Sequence, residues 1–213
     1  MKIIETSKVG EEVLSNKGAL VIGISICNSY FSEENLKRII VWADKEGFSS
    51  AYIMIPDEPA VHTLMAVRGY AEGKAKRKSR LQSNALENKS SAILNEVRSG
   101  RFQVLRWKLL NTHPVYAEAL QKMRSAYMYD QVFKDAIQQE TRKVFEQSPI
   151  DSQIGTAVEF LFKELAFICY SSKILNEPAT AYLYHKTMPV MKEIMAGEHS
   201  FKALPNVGFI TAE

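Results

Sequence analysis

Cysteine is scarce in this chain, which has only Cys27 and Cys169 among its 213 residues. The two stand in separate apolar contexts without paired spacing, so neither a zinc site nor a disulfide framework is expected. No apolar run approaches the roughly 20 residues needed to cross a bilayer. Residues 1–6 do not have the pattern of a signal peptide, because an acid interrupts them early and no apolar core follows. We therefore expect a cytoplasmic protein with one domain over residues 1–213.

The chain has no large excess of charge of either sign, because its net charge is only +3. A charge this small does not by itself indicate a nucleic-acid binder. Positive charge is nevertheless concentrated in the segment K-A-K-R-K-S-R, which contains no acid. Its cations are Lys74, Lys76, Arg77, Lys78 and Arg80. Such a patch suits phosphate, although a solvated helix face remains the alternative interpretation.

Short apolar runs alternate with segments of helical pattern. Residues 19–24 and 51–55 are typical of strands buried on both faces of a parallel sheet. Between them, Ser32 is suited to cap a helix that ends near Gly47. Further strands are predicted at residues 101–108, at residues 182–184 and near Gly208, and further helices from Pro114, Tyr129, Ile150 and Met188. The alternation predicts an α/β domain with a mostly parallel sheet flanked by helices.

Ser25 directly follows the strand predicted at residues 19–24. In an open parallel sheet the ligand crevice lies beyond the carboxyl ends of the central strands, so Ser25 is well placed for chemistry. The sequence lacks a G-x-S-x-G elbow, and none of its four histidines is placed as an obvious base. A conventional hydrolase triad is therefore unsupported. Judged by the sequence pattern alone, the alternative is a structural role, in which the Ser25 hydroxyl hydrogen-bonds to a backbone group of the loop.

Four separate motifs resemble those of the cyclodipeptide synthases. Residues 23–31 read G-I-S-I-C-N-S-Y-F and resemble the nucleophile signature of that family. Trp42 falls in the following helix, where the family carries a tryptophan, and residues 184–189 resemble its Y-H-x-x-x-P motif. Glu164 lies twenty residues before Tyr184, which is the separation of the family's essential glutamate. The resemblance extends across nearly the whole chain.

This resemblance implies both a fold and an activity. The fold would be Rossmann-like and similar to the catalytic domain of class I tyrosyl- and tryptophanyl-tRNA synthetases. The activity would be acyl transfer from two aminoacyl-tRNAs, through an aminoacyl and then a dipeptidyl group on Ser25, to give a cyclic dipeptide. The tRNA ester is already activated, so neither ATP nor a metal is expected as a cofactor. We expect a monomer that binds tRNA through the basic segment and has no DNA or membrane partner.

The resemblance also assigns site residues. Ser25 would be the nucleophile, Glu164 would anchor the substrate ammonium, and Tyr184 would transfer or orient a proton during cyclisation. Asn28, Tyr184 and His185 match one of the two main subfamilies; considered alone, His185 is more typical of a structural histidine. The residues expected to bind substrate are Val21, Gly23, Asn28, Tyr30, Ile53, Ile55, Phe160, Phe167, Tyr182 and His185.

The residues around Glu164 indicate a special role for this side chain, independently of the resemblance to the family. The segment 157–169 is apolar on most of its helical circumference. Glu159 and Lys163 form an i, i+4 pair that defines the wet face, whereas Glu164 points away from Glu159. A carboxylate in an apolar surround is costly unless it meets a cation. The alternative to such a role is that Glu164 simply lies at the boundary of the solvent-exposed helix face.

One departure from the family pattern lies close to the chemistry. Family members usually have a tyrosine one helical turn before the glutamate, where its hydroxyl helps to hold the substrate amine, and this chain has Phe160. Asn28, Tyr30 or Tyr182 could supply the missing hydrogen bond. Two other hypotheses therefore stay open: a non-catalytic tRNA-binding module with the same fold, and an unrelated α/β serine hydrolase.

Overall fold

The computed structural model describes residues 1–26, 28–145 and 147–213, so that Cys27 lies outside the described residues. The strands are β1 (Ile3–Thr6), β2 (Ala19–Gly23), β3 (Ser50–Ile55), β4 (Phe102–Arg106), β5 (Thr180–Tyr184) and β6 (Val207–Ala212). The helices are α1 (Lys8–Asn16), α2 (Glu33–Glu46), α3 (Pro59–Arg68), α4 (Glu72–Val97), α5 (Pro114–Tyr129), α6 (Gln131–Arg142), α7 (Asp151–Ile174) and α8 (Pro189–Ala196). Short 3₁₀ helices cover Ser29–Phe31 and Trp107–Leu110.

Within the described residues, the strands form one sheet in the order β1-β6-β5-β2-β3-β4. Only β1 runs antiparallel to its neighbour, β6, and the other pairs are parallel. From β2 the chain adds β3 and then β4 on one side, whereas β5 and β6 lie on the other. The strand order thus reverses between β2 and β5, which is where ligands bind in open α/β sheets. The predicted mostly parallel sheet is confirmed.

Helix ends in this chain follow from local sequence. The Ser32 side chain accepts a hydrogen bond from the Asn35 N–H and so caps α2, as the sequence predicts. The same helix stops at Gly47, whose φ of 77° is the left-handed conformation that favours glycine. None of the helices in the described ranges has the length and apolarity needed to cross a bilayer.

The sheet has a buried core on each face. One core contains Val21, Met54 and Tyr182 and packs against the apolar helix α7. The other contains Ile22 and Ile53 and packs against α2. Because successive side chains of a strand point to opposite faces, the fully buried strands β2 and β3 contribute to both cores.

A buried ion network joins the end of β4 to the loop after β3 and to α4. Arg106 donates from Nε to Asp57 Oδ2 at 2.9 Å and from Nη1 to Glu87 Oε2 at 2.7 Å and to Asn84 Oδ1 at 3.1 Å. The side chains of Arg106 and Asp57 are 11% and 9% exposed. The Ser79 hydroxyl of α4 donates to the Asp57 carbonyl. The network ties α4 to the carboxyl edge of the sheet.

Arg106→Ala should lower the free energy of unfolding by about 3–5 kcal/mol, because it leaves the buried Asp57 carboxylate without its cation. Denaturant unfolding measures this loss. The matched control is Lys122→Ala, which breaks a solvent-exposed pair with Glu118 and should cost no more than about 1 kcal/mol. Equal losses in the two variants would contradict the assigned role of Arg106.

Candidate functional site

A cavity of about 630 Å³ opens at the carboxyl ends of β2 and β5, where the strand order reverses. Ser25 enters it from the loop after β2, Glu164 from α7 and Tyr184 from the end of β5. Helices α3 and α6 complete its wall. The structure therefore brings together the three residues that the sequence analysis assigns to catalysis.

Ser25 and Tyr184 are in direct contact. Ser25 Oγ lies 2.5 Å from Tyr184 Oη, and either hydroxyl can donate. Burial, and to a smaller extent the nearby Glu164 charge, together raise the pKa of Tyr184 to about 12, against the opposing effect of its hydrogen bonds to Ser25 and Asn28. Tyr184 is therefore neutral near pH 7 and cannot act as a tyrosinate base. It can donate a hydrogen bond or relay a proton.

Glu164 presents an acid to the cavity from a largely apolar helix. Burial raises its pKa to about 7; the Tyr182 hydrogen bond opposes this shift and the charge of Glu140 adds to it. Tyr182 Oη donates to Glu164 Oε1 at 3.0 Å. No ion pair involves Glu164 in the described part of the chain. A buried carboxylate without a cation is suited to receive an ammonium group.

Of the three residues considered as substitutes for the hydroxyl absent at Phe160, Tyr182 bonds to Glu164. Asn28 instead accepts from the Tyr30 N–H at 3.0 Å, and its amide nitrogen lies 3.4 Å from His185 Nε2. The Tyr30 hydroxyl is buried and has no hydrogen-bond partner among the described residues. Phe160 lines the cavity.

His185 packs on an aromatic neighbour, and its hydrogen-bond contact within the described residues is with Asn28. Its ring stacks on Tyr30 at 4.2 Å between centroids. Burial, together with the smaller effect of the adjacent Lys186, lowers the pKa of His185 to about 4, so the ring is neutral near pH 7. Ser25 has Tyr184, not His185, as its hydrogen-bond partner. The geometry gives no support to a serine–histidine pair.

Five of the residues expected to bind substrate are not among the described residues that line the cavity. Val21 and Tyr182 face α7, and Phe167 belongs to α7; all three are buried in the core, with exposures of 0%, 3% and 0% in that order. Ile53 belongs to the core on the opposite face of the sheet, and Ile55 lies two residues along the same strand. The strand alternation therefore turns both isoleucines away from α7.

Gly23 is required by close packing within the protein. A Cβ at this position would overlap the Tyr182 hydroxyl. Only glycine leaves room for the Tyr182 ring between β2 and α7.

Several cavity residues lie outside the sequence prediction. Arg68 at the end of α3 lines the cavity, and so do Glu140 and Lys143, which form a salt bridge of 2.8 Å. Each stands in an ordinary amphipathic context, so no local signal distinguishes them from surface residues. In the described ranges no group of three or more histidine, cysteine, aspartate or glutamate side chains is placed to hold a metal ion.

The predicted basic segment forms the first part of α4. Its five cations are exposed, whereas Ala75 and Ser79 are buried beneath them. Lys76 pairs with Glu72 at 2.6 Å, and the Lys74 ammonium lies 4.1 Å from the Tyr70 ring centroid. Helix α4 packs against α3, whose last residue lines the cavity. The basic face and the cavity are therefore neighbours.

Comparison with known proteins finds relatives over almost the whole chain. The cyclodipeptide synthase family model matches residues 3–213. The cyclo(L-leucyl-L-leucyl) synthase of Corynebacterium jeikeium (strain K411) is 27% identical over 208 residues, which cover 93% of this chain and 95% of that protein. The enzyme of the same name from Bacillus subtilis (strain 168) is 24% identical over 212 residues, which cover 95% of this chain and 85% of that protein.

Solved structures share the fold. A cyclodipeptide synthase from Bacillus thermoamylovorans has a TM-score of 0.91 at 21% identity, covering 100% of this chain and 96% of that one. A Mycobacterium tuberculosis protein, whose structure relates cyclodipeptide synthetases to type I tRNA synthetases, has a TM-score of 0.86 at 19% identity, covering 100% and 96%. A cyclodipeptide synthase from Candidatus Glomeribacter gigasporarum, solved bound to Phe-tRNAPhe, has a TM-score of 0.63 at 16% identity, covering 92% and 87%. The predicted resemblance to class I synthetases is confirmed.

Glu164→Gln should stabilise the free protein, and the gain should grow with pH. The folded-state pKa of Glu164, about 7, lies above its ordinary value of 4.5, so ionisation destabilises the fold increasingly between these two values. Glutamine does not ionise and still accepts from Tyr182. The difference in Tm between variant and wild type should therefore be larger at pH 8 than at pH 4.5.

The control for this experiment is Glu159→Gln on the wet face of α7. Glu159 pairs with Arg124 at 2.7 Å at a partly exposed position. Its replacement should bring no stabilisation that grows over the same pH range. A Glu164→Gln difference in Tm that is equal at both pH values would contradict the raised pKa.

Proposed function

The chain belongs to the cyclodipeptide synthase family, and we propose that it joins the aminoacyl groups of two aminoacyl-tRNAs through acyl intermediates on Ser25. The observation that carries this proposal is the contact of Ser25 with Tyr184 in a cavity that also holds the unpaired Glu164 carboxylate. Nucleophile, proton donor and ammonium anchor thus share one site. The reaction takes place in the cytoplasm, where aminoacyl-tRNAs are made.

In the first step Ser25 Oγ attacks the ester carbonyl of one aminoacyl-tRNA. The bond from Oγ to the carbonyl carbon forms, the bond to the ribose oxygen breaks, and the serine proton passes to the departing tRNA hydroxyl. Glu164 holds the ammonium group of the amino acid meanwhile. The vicinal ribose hydroxyl can relay the proton, so the step needs no histidine base and no ATP.

In the second step the free amine of another aminoacyl-tRNA attacks the aminoacyl-Ser25 ester. A peptide bond forms and Ser25 is released; transfer of the dipeptidyl group from the second tRNA back to Ser25 then frees that tRNA. The terminal amine of the dipeptide finally attacks the Ser25 ester, which closes the ring and restores the hydroxyl. Tyr184, neutral and 2.5 Å from Ser25 Oγ, donates the proton that the leaving serine oxygen needs.

The basic face of α4 holds the tRNA backbone in this proposal. Phosphate contacts position a nucleic acid without reading its sequence, so they suit an enzyme that accepts more than one tRNA. The related enzyme from Candidatus Glomeribacter gigasporarum was solved with Phe-tRNAPhe, which supports an aminoacyl-tRNA as the partner. Helix α4 packs on α3, and α3 forms part of the cavity wall.

Ser25→Ala should lower formation of cyclic dipeptide by about three orders of magnitude or more, because it removes the nucleophile. Mass spectrometry of the products should find no cyclic dipeptide. After incubation with radiolabelled aminoacyl-tRNA, the protein should carry no acid-stable label. Ser15→Ala, at an exposed serine of α1 that does not line the cavity, should leave both readouts near wild type. A Ser25→Ala variant with wild-type product levels would contradict the proposal; retained tRNA binding by an inactive wild type would support the binding module instead.

Replacing Lys76, Arg77 and Arg80 together by alanine should weaken the use of aminoacyl-tRNA and flatten its salt dependence. Each lost phosphate contact reduces the slope of log affinity against log salt concentration by about one unit. The measurement is tRNA affinity over a range of ionic strength.

The control removes the same charge elsewhere, by alanine at the exposed residues Lys2, Lys45 and Lys173. Its slope should stay near that of the wild type, since net charge alone does not form phosphate contacts. Equal slopes in the two triple variants would identify the basic segment as a solvated helix face.

A further inference from the structure

We infer that Glu5, on the edge strand β1, is a positioning residue for the proposed reaction. Its carboxylate binds Thr187, and through Thr187 it fixes the loop that follows Tyr184 and forms part of the cavity wall. The inference rests on the proposed function, because its effect is measured on the step in which Tyr184 acts.

The loop between β5 and α8 is part of the site. Residues 185–188, the cavity-wall loop, all line the cavity. The loop begins directly after Tyr184, and α8 begins with Pro189 directly after the loop. The path of these four residues therefore bears on the orientation of Tyr184 toward Ser25.

Strand register brings Glu5 to the cavity-wall loop. Glu5 lies opposite Thr211 of β6, and Thr211 lies opposite Tyr184 of β5. Opposite residues of neighbouring strands point to the same face of a sheet. The pairing of β1 with β6 also shifts in register between Ile3 and Glu5, and an irregularity of this kind changes the direction of a strand side chain. Glu5, Thr211 and Tyr184 therefore form one row across three strands.

Thr187 joins the cavity-wall loop to this row. Its Oγ1 donates to Glu5 Oε2 at 2.8 Å and lies 2.9 Å from Thr211 Oγ1. Because Thr187 gives its proton to the carboxylate, the Thr211 hydroxyl is the donor to Thr187. The Lys192 ammonium of α8 pairs with the other carboxylate oxygen, Glu5 Oε1. One carboxylate thus binds both the loop and the helix that follows it.

The contact of Glu5 with Thr187 is charge-assisted. Hydrogen bonds from Lys192 and from Thr187 hold the pKa of Glu5 below its ordinary value of 4.5, so the carboxylate is charged near pH 7. Hydrogen bonds to a charged acceptor are stronger than those between neutral groups. The side chains of Glu5 and Lys192 are nevertheless 33% and 46% exposed, and ion pairs this exposed add little to the stability of a fold. The contact therefore acts on the position of the loop more than on folding.

Glu5→Ala should slow the transfer of the aminoacyl group from Ser25 by about tenfold or more, because Tyr184 is no longer held in place toward the leaving serine oxygen. Formation of acyl-Ser25 should stay near the wild-type rate, since in the proposed mechanism that step passes its proton to the tRNA. Rapid quenching with radiolabelled aminoacyl-tRNA measures both rates, and labelled protein should accumulate in the variant. The Tm should fall by no more than about 4 °C. An equal loss in both rates, or no loss in either, would overturn the inference.

Thr187→Val tests whether Glu5 acts through Thr187. The substitution removes the hydroxyl that Glu5 binds, so it should slow the same step as Glu5→Ala. The double variant should be no slower than the slower single variant, because both changes remove one shared contact. Effects that multiply in the double variant would show that the two residues act independently and would overturn the inference.

The matched control is Glu46→Ala. Glu46 pairs with Lys17 at 3.1 Å, is 38% exposed in its side chain, and is not among the described residues that line the cavity. Both rates should stay near wild type, and a control as slow as Glu5→Ala would overturn the assignment to Glu5. These failures differ from that of the proposed function, in which the wild type itself forms no acyl-Ser25 and no cyclic dipeptide.

Discussion

The parallel pairing of β2 with β5 is the constraint on which the site depends. Val21 lies opposite Tyr182 and Ile22 opposite Leu183, so the two strands end at the same level of the sheet. This register carries Ser25, two residues beyond β2, to Tyr184 at the end of β5, although 159 positions separate them in the chain. A shift of one residue would turn the Tyr184 side chain to the other face of the sheet. The register of the two strands thus fixes where Ser25, at the start of the loop after β2, meets Tyr184.

The same register creates the electrostatic character of the site. It brings Tyr182 against Gly23 on the face that α7 covers, and α7 places Glu164 within reach of the Tyr182 hydroxyl. The carboxylate then lies where burial disfavours its charge and where one hydrogen bond offsets only part of the cost. A bound ammonium group relieves this cost. When Glu164 is charged, the site is therefore more stable with an ammonium group bound than empty. This difference in free energy favours binding.

Sequence pattern predicts the parts of this architecture that depend on local chemistry. The cap at Ser32, the stop at Gly47 and the position of Ser25 after a buried strand are all readable from neighbouring residues. The face to which a strand residue points is not readable when both faces are buried, because the alternation of polar and apolar residues is lost. The resemblance names Ile53 and Ile55 as substrate-binding residues, and the face that they occupy emerges only in the structure, where Tyr52 and Met54 point to the α7 side instead.

Features that depend on tertiary contact also escape the pattern. The short strand β1 and helix α1 lie ahead of the first strand that the sequence predicts, and β1 is held by antiparallel pairing with β6, near the other end of the chain. The choice of Tyr182 over Asn28 and Tyr30 as the donor to Glu164 likewise follows from strand register. Neither the β1–β6 pairing nor the Tyr182–Glu164 hydrogen bond can be predicted from local sequence, since each joins two segments that are distant in the chain.

In the proposed mechanism Ser25 is the nucleophile, and its described surroundings, which offer it no histidine base, select the kind of acyl group that it can attack. Its hydrogen-bond partner Tyr184 stays protonated near pH 7, and His185, although neutral, is turned toward Asn28 and Tyr30. A hydroxyl in these surroundings is not activated enough for an amide, whose leaving group is a poor one. An aminoacyl-tRNA ester has a better leaving group and brings its own hydroxyls to accept the proton. In the proposed mechanism, the hydrogen bonding of Ser25 and an ester substrate therefore suit each other.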